Sequence, residues 1–250
     1  MKPEQDSSAL LHPRHRFVEW YHSSTLGLLL QKSEAAYLLS ELQLTYNQKI
    51  LQVGHLGSEN QYITDDFRPN LTIVDRYLPN SPQDHRRILA DPVELPVASE
   101  IVDTLILPHI LEFESDPHQI LREADRVLKP EGRIFILGLN PWSPQRVLNW
   151  TRRVEFRTAG NIGCYRIMDW LNLLKFDAEF CAGFGLATSQ GIFKPNRLIT
   201  RSMAHLASAY AVKAIKRRYN LIPIKMSWLH VPSLIPGNVV ESPFIPSNRR

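Results

Sequence analysis

The sequence predicts an open α/β sheet, mostly parallel, with helices on both faces, a helical segment before it and a basic extension after it. Three observations carry that expectation. Short runs of Ile, Leu and Val recur between residues 49 and 139, apolar on both faces as a covered parallel sheet requires. A clear amphipathic helix lies between the last two runs. Strands that alternate with helices are joined as parallel neighbours of one sheet.

The elements follow in order. Residues 1–15 are polar and read as a loose start. Residues 19–44 read as mostly helical, with Leu26, Leu29, Leu30, Leu38, Leu39 and Leu42 on one face. Strands are expected at 49–53, 71–74 (LTIV), 101–107 (IVDTLIL) and 133–139 (RIFILGL). Before the fourth strand, Ser115 suits an N-cap and Pro117 the first turn, where its missing N–H costs nothing. Ile120, Leu121, Ala124, Val127 and Leu128 form the apolar stripe, and Lys129-Pro130-Glu131-Gly132 ends the helix in a turn. A second amphipathic helix is expected over 166–174 (RIMDWLNLL) and a longer one over 197–218, with Lys213, Lys216, Arg217 and Arg218 in its last turns. From Leu221 the chain carries five prolines and reads as an extended segment. This divides the chain into a helical segment (1–45), an α/β domain (46–195) and a basic, Pro-rich extension (196–250).

Composition bounds the function. With 44% hydrophobic and 22% charged residues in 250, the chain has the make-up of a globular protein. No apolar run is long enough to cross a bilayer and no secretory leader is visible, so a cytoplasmic location is expected. Two cysteines, Cys164 and Cys181, are too few for a disulfide framework or a zinc cluster, and no metal-ligand spacing is present. The net charge of +4 is uneven. Residues 180–250 hold ten Lys/Arg against one acid, Glu241, or +9, which leaves −5 on residues 1–179. That basic third is either a solvated face or a surface for an anionic partner such as RNA or a membrane.

Ligands of open α/β sheets bind beyond the carboxyl ends of the strands. The residues there are Gly54, His55, Leu56 and Gly57 after the first strand; Asp75 and Arg76 after the second; Pro108 and His109 after the third; and Asn140, Pro141 and Trp142 after the fourth. Asp91, Pro92 and Val93 precede the third strand. Asp75 lies 21 residues beyond Gly54, near the roughly 20-residue spacing at which a carboxylate meets ribose hydroxyls. Asp75-Arg76 is also readable as a local ion pair. His109 has the chemistry of a general base near neutral pH, or it serves passively at the strand end.

The region from Ile50 to Leu139 resembles class I S-adenosylmethionine-dependent methyltransferases, most of all the branch that includes the ubiquinone/menaquinone C-methyltransferases, and the best match is Asp91 to Leu139. Arg126-Val127-Leu128-Lys129-Pro130-Glu131-Gly132 is highly typical of that family. The resemblance implies a Rossmann-like fold and S-adenosyl-L-methionine as cofactor. It implies that Gly54 approaches the methionine end, Asp75 takes the ribose diol and Asp91 the adenine amine. Gln52, His55, Gly57, Arg76, Pro92, Val93 and Pro108 would complete the cofactor site, and Pro108 with His109 would border the acceptor. The acceptor it suggests is small or lipidic.

The chain departs from the family pattern at four places. Gln52 replaces an acid, Leu56 and Ser58 replace glycines, and Pro92 lacks the backbone N–H that the adenine ring would use. Val93 is the nearest substitute donor. These departures favour a rival expectation, a catalytically inactive member that keeps the fold as a binding or scaffold module.

Overall fold

The computed structural model describes residues 13–77, 86–143, 160–185, 192–193 and 207–217. Two helices come first, α1 (Pro13–Ser23) and α2 (Thr25–Glu41). The single helix expected over 19–44 is broken at Ser24, whose backbone is extended and whose side chain accepts from the Gly27 N–H at 2.9 Å. Ser and Thr at 23–25 prefer such caps to helix interiors. The helices cross closely at Gly27, where a Cβ would lie 2.4 Å from the Trp20 carbonyl oxygen.

The strands β1 (Ile50–Val53), β2 (Leu71–Asp75), β3 (Arg86–Leu89), β4 (Val102–Pro108) and β5 (Leu128–Leu139) lie in the order β3-β2-β1-β4-β5, all parallel. Helix α3 (Pro117–Val127) links β4 to β5, with Asp116 rather than Ser115 as its N-cap, accepting from the Gln119 N–H at 3.0 Å. Lys129-Pro130-Glu131-Gly132 is a bulge within β5, not a separate turn: pairing with β4 passes from Leu128 opposite Val102 to Arg133 opposite Thr104, and Glu131 takes φ 62°. Helix α4 (Cys164–Leu173) follows, and β6 (Phe176–Phe184), β7 (Ile192–Phe193) and β8 (Ala209–Lys216) close the described sheet as β5-β8-β6-β7, all antiparallel.

β8 corrects the helix expected over 197–218. Residues 209–216 form an inner strand between β5 and β6, while 197–206 and Arg218 lie outside the described residues. Alanine and lysine favour a helix locally, but two flanking strands supply hydrogen bonds on both edges, and that tertiary context decides. The Pro-rich segment from Leu221 also lies outside the described residues.

The pleat divides the core into two layers. Ile50, Ile73, Ile106, Phe135 and Leu137 pack against Phe17, Tyr21, Leu30 and Leu38 of α1 and α2. Leu51, Val74, Leu105, Ile134 and Ile136 pack on the other face against Ile120, Leu121 and Val127 of α3 and Ile167 and Leu171 of α4. Alternate residues of one strand thus enter opposite layers, as the two-residue period requires.

Gly138 and Tyr210 are directly opposed across β5 and β8, and the Tyr210 ring lies over the glycine. A Cβ there would sit 2.4 Å from the ring, whose hydroxyl donates to the Ile162 carbonyl at 3.0 Å. Gly138→Ala is expected to cost about 1–3 kcal/mol by overpacking. Urea unfolding checks this, and a wild-type midpoint would refute it.

Candidate functional site

The strand order reverses between β1 and β4, and such a switch point is where an open α/β sheet forms its crevice. Beyond it stand the β1 loop, the end of β2 and the end of β4. One face of α1 is laid over them. Arg14, Phe17, Tyr21 and His22, spaced as one helical stripe, meet Asp75, His109, Glu34 and Leu56 respectively.

The β1 loop owes its shape to two glycines and one buried acid. Gly54 has φ +101° and Gly57 φ +82°, both left-handed, which a side chain would make costly. Glu59 then turns back into the loop. Its Oε1 accepts from the Leu56 N–H at 2.8 Å, the Gly57 N–H at 3.2 Å and Gln52 Nε2 at 2.8 Å, with His55 Nδ1 3.2 Å away. Burial favours the neutral acid, but the His55 ring and the loop N–H groups outweigh it and hold the Glu59 pKa down at about 2. Gln52 is fully buried. It also donates to the Gly54 carbonyl at 2.8 Å and accepts from the Tyr62 hydroxyl at 2.7 Å, so it fastens the loop internally. Only short 3-10 turns, Glu59–Gln61 and Asp65–Asn70, stand between β1 and β2.

Asp75 ends β2 and is buried. Its Oδ2 accepts from Arg14 Nη1 at 2.5 Å and from the His55 N–H at 2.6 Å, and its Oδ1 from the Tyr77 N–H at 3.2 Å. Arg14 Nη2 donates to the His55 carbonyl at 2.8 Å. The local Asp75–Arg76 pair is absent: Arg76 turns to Asp91 instead, with Nη2 at 2.7 Å and Nε at 3.2 Å, and its Nη1 lies 3.1 Å from Glu114. Asp91 also accepts from the Val93 N–H at 3.1 Å, so the donor expected to substitute for Pro92 is already engaged. Pro92 and Pro108 are both buried. Asp75, Gly54, His55 and Gly57 are thus brought together, and Asp91, Arg76 and Val93 form a second group.

His109 follows Pro108 in a left-handed conformation, φ 47°, with no exposed surface. Its Nε2 lies 2.9 Å from Glu34, its Nδ1 3.5 Å from Glu112, and the Phe17 ring is centred 4.8 Å away. Burial disfavours the charged ring, but Glu34, then Glu112, outweighs it and raises the pKa to about 9. A protonated, enclosed imidazole does not accept a proton at neutral pH. The geometry therefore gives His109 a bridging task between two buried carboxylates rather than that of a free base. Trp142, beyond β5, is mostly exposed.

Sequence reasoning missed Arg14, Glu34, Glu59 and Glu112, the charged residues that fill the crevice. Of the basic residues counted in the C-terminal third, Lys213 pairs with Glu41 at 3.3 Å, Lys216 with Asp125 at 3.2 Å and Arg217 with Glu131 at 2.5 Å. No helix among the described residues is long and apolar enough to cross a membrane.

Comparison with known proteins is in keeping with this frame. Residues 48–136 match the family model of a methyltransferase domain. The chain is 30% identical over 161 residues to a protein of Escherichia coli K12 known as the uncharacterized protein YafS; the alignment covers 63% of this chain and 65% of that one. Among solved structures, a SAM-dependent methyltransferase of Thermotoga maritima, a possible histamine N-methyltransferase, superposes with a TM-score of 0.57 at 14% identity, over 82% of this chain and all of its own. The plantazolicin methyltransferase BpumL, in complex with a pentazolic desmethylplantazolicin analogue and SAH, gives 0.57 at 17% identity over 85% and 94%. A SAM-dependent methyltransferase of Archaeoglobus fulgidus gives 0.54 at 15% identity over 74% and 94%. At these identities the solved structures establish the fold.

The raised His109 pKa has a consequence for stability. An imidazole whose pKa rises from 6.5 unfolded to about 9 folded adds stability that is fully present below pH 6.5 and is lost as pH climbs through about 9. Urea unfolding of the wild type is expected to show that decline. Ring-carbon NMR shifts should find His109 protonated at pH 7.5, and a neutral ring at that pH would refute the assignment.

Proposed function

We propose, since residues 48–136 match the family model of a methyltransferase domain, that this chain is a class I S-adenosylmethionine-dependent methyltransferase that binds S-adenosyl-L-methionine beyond β1, β2 and β4 and methylates a small or lipidic acceptor. One observation carries the reading. The Asp75 carboxylate stands at the end of β2, 2.6 Å from the His55 N–H and beside the bare backbone of Gly54.

The residues fit the group. A Cβ at Gly54 would lie 2.6 Å from Arg14 Nη2, so the missing side chain leaves a cradle that already holds a planar, polar group next to a carboxylate. Asp75 would accept from the ribose hydroxyls, Gly54 would let the methionine end approach, and Gly57 with His55 would shape the loop. Asp91, with Arg76 and Val93 around it, would face the adenine; Pro92 and Pro108 would border the site. Gln52 would act through the loop it fastens. The cofactor supplies a methyl carbon made electrophilic by positively charged sulfur.

The chain's contribution to such chemistry is alignment and exclusion of water. With His109 held as a cation between Glu34 and Glu112, no base is invoked at that position. The acceptor must then be nucleophilic without it. A nucleic-acid or membrane partner gains little from Lys213, Lys216 and Arg217, whose charges are met within the fold. A second reading, a methyltransferase-fold protein that binds or scaffolds without catalysis, is favoured by Glu59, which takes the loop N–H groups a ligand would use.

Binding of S-adenosylhomocysteine decides between the two. At a hundred times its Kd a ligand adds about 2.7 kcal/mol of stability, which thermal shift registers. Asp75→Ala is expected to weaken calorimetric binding at least about tenfold, the loss of about 1.4 kcal/mol of hydrogen bonding to a charged group. No shift at millimolar ligand, for the wild type and for a variant without the Arg14 guanidinium alike, would sink the enzyme reading.

A further inference from the structure

We propose that Arg14 is a stopper of the cofactor site: its guanidinium holds Asp75 in the unliganded chain and has to leave before ribose hydroxyls reach that carboxylate. The proposal rests on the reading of the site given above and adds the residue that controls access to it.

An ionised carboxylate offers about four acceptor positions. At Asp75 three are filled, by Arg14 Nη1, the His55 N–H and the Tyr77 N–H, and the residue is 3% exposed. The two backbone donors belong to the turns on either side and are fixed with them. Arg14 reaches in from a helix 61 residues earlier in the chain and is the one partner that can depart without rebuilding the strand ends.

Arg14 spans the cradle, from Asp75 on one side to the His55 carbonyl on the other, with Nη2 where a Gly54 side chain would be. A ligand lying on Gly54 and a guanidinium lying on Gly54 exclude one another.

The pairing is also incomplete. Arg14 is 6% exposed, yet its Nε has no hydrogen-bond partner among the described residues. A buried ion pair contributes well only when its remaining donors are met. An internal occupant with an unmet donor is easier to displace than one fully satisfied. Arg14 is also the second residue of α1, in the turn of a helix that opens most readily. Phe17, buried three residues on, keeps the rest of the helix in the core, so only the first turn has to yield.

The test is calorimetry of S-adenosylhomocysteine with the full-length wild type and with Arg14→Ala and Arg14→Gln, together with hydrogen exchange of the wild type. Apparent affinity is reduced by the fraction of chains whose site is open, so removing a stopper that closes about nine chains in ten tightens binding about tenfold. In the wild type, the ligand should speed exchange over residues 13–18 while slowing it over 52–57. Equal or weaker binding by both variants overturns the stopper and leaves the binding reading standing. Absence of binding by wild type and variants alike overturns the binding reading, and the stopper with it. Should the variants fail to fold, the wild-type exchange alone decides: unchanged or slower exchange over 13–18 overturns the proposal.

Discussion

The ion pair between Arg14 and Asp75 joins the first turn of α1 to the end of β2, with both side chains almost wholly out of water. Desolvating two charges costs several kcal/mol per ion, and their attraction repays that only when the geometry is good and the remaining donors are met. Here Asp75 is well served, while Arg14 Nε meets no partner among the described residues. Such a contact fixes where α1 lies more than it deepens the fold's stability. Everything else along that helix face follows from the placement: Phe17 on His109, Tyr21 on Glu34 at 2.7 Å, and His22 donating to the Leu56 carbonyl.

Charge inside the crevice is balanced in separate groups. Arg14 meets Asp75; His55 and the loop N–H groups meet Glu59; His109 meets Glu34 and Glu112; Arg76 meets Asp91 and Glu114. Each acid lies at or beyond the carboxyl end of a strand or on a helix laid over it. Glu59 takes the part that a ligand takes in many glycine loops, an anion gathering successive backbone N–H groups. The loop is thereby shaped in advance. Its Leu56 and Gly57 N–H groups are also already spent.

How much of this was legible in the sequence depended on whether the signal was local. Strands β1, β2, β4 and β5 and helix α3 carry their apolar periods within their own residues, and the order of Gly54, Asp75 and Asp91 along the chain pointed to one crevice. β3, with two arginines in four residues, has no apolar period to read. β8 is written in alanine and lysine, a composition that speaks for helix until β5 and β6 flank it. The site was half legible for the same reason. Asp75 and Gly54 declare themselves by type and spacing. Arg14 and Glu34 act across 61 and 75 residues, and nothing near either in sequence says which acid or base it will meet. His109 was legible as a position and not as a state, because its charge is set by two carboxylates that only the fold brings to it.

The rigidity of α1 and the departure proposed for Arg14 are compatible because they concern different turns. Gly27 lets the backbones of α1 and α2 meet at Trp20 and Tyr21, a contact with no side chain that could give way. Phe17, Trp20 and Tyr21 are buried beneath it, and truncating one such aromatic costs about 3–5 kcal/mol. No modest ligand lifts that part of the helix. Pro13 and Arg14 lie ahead of it, in the turn whose N–H groups have no helical partners. The core therefore holds the helix as a fixed arm, with the Arg14 guanidinium at its tip, ahead of the buried aromatic contacts.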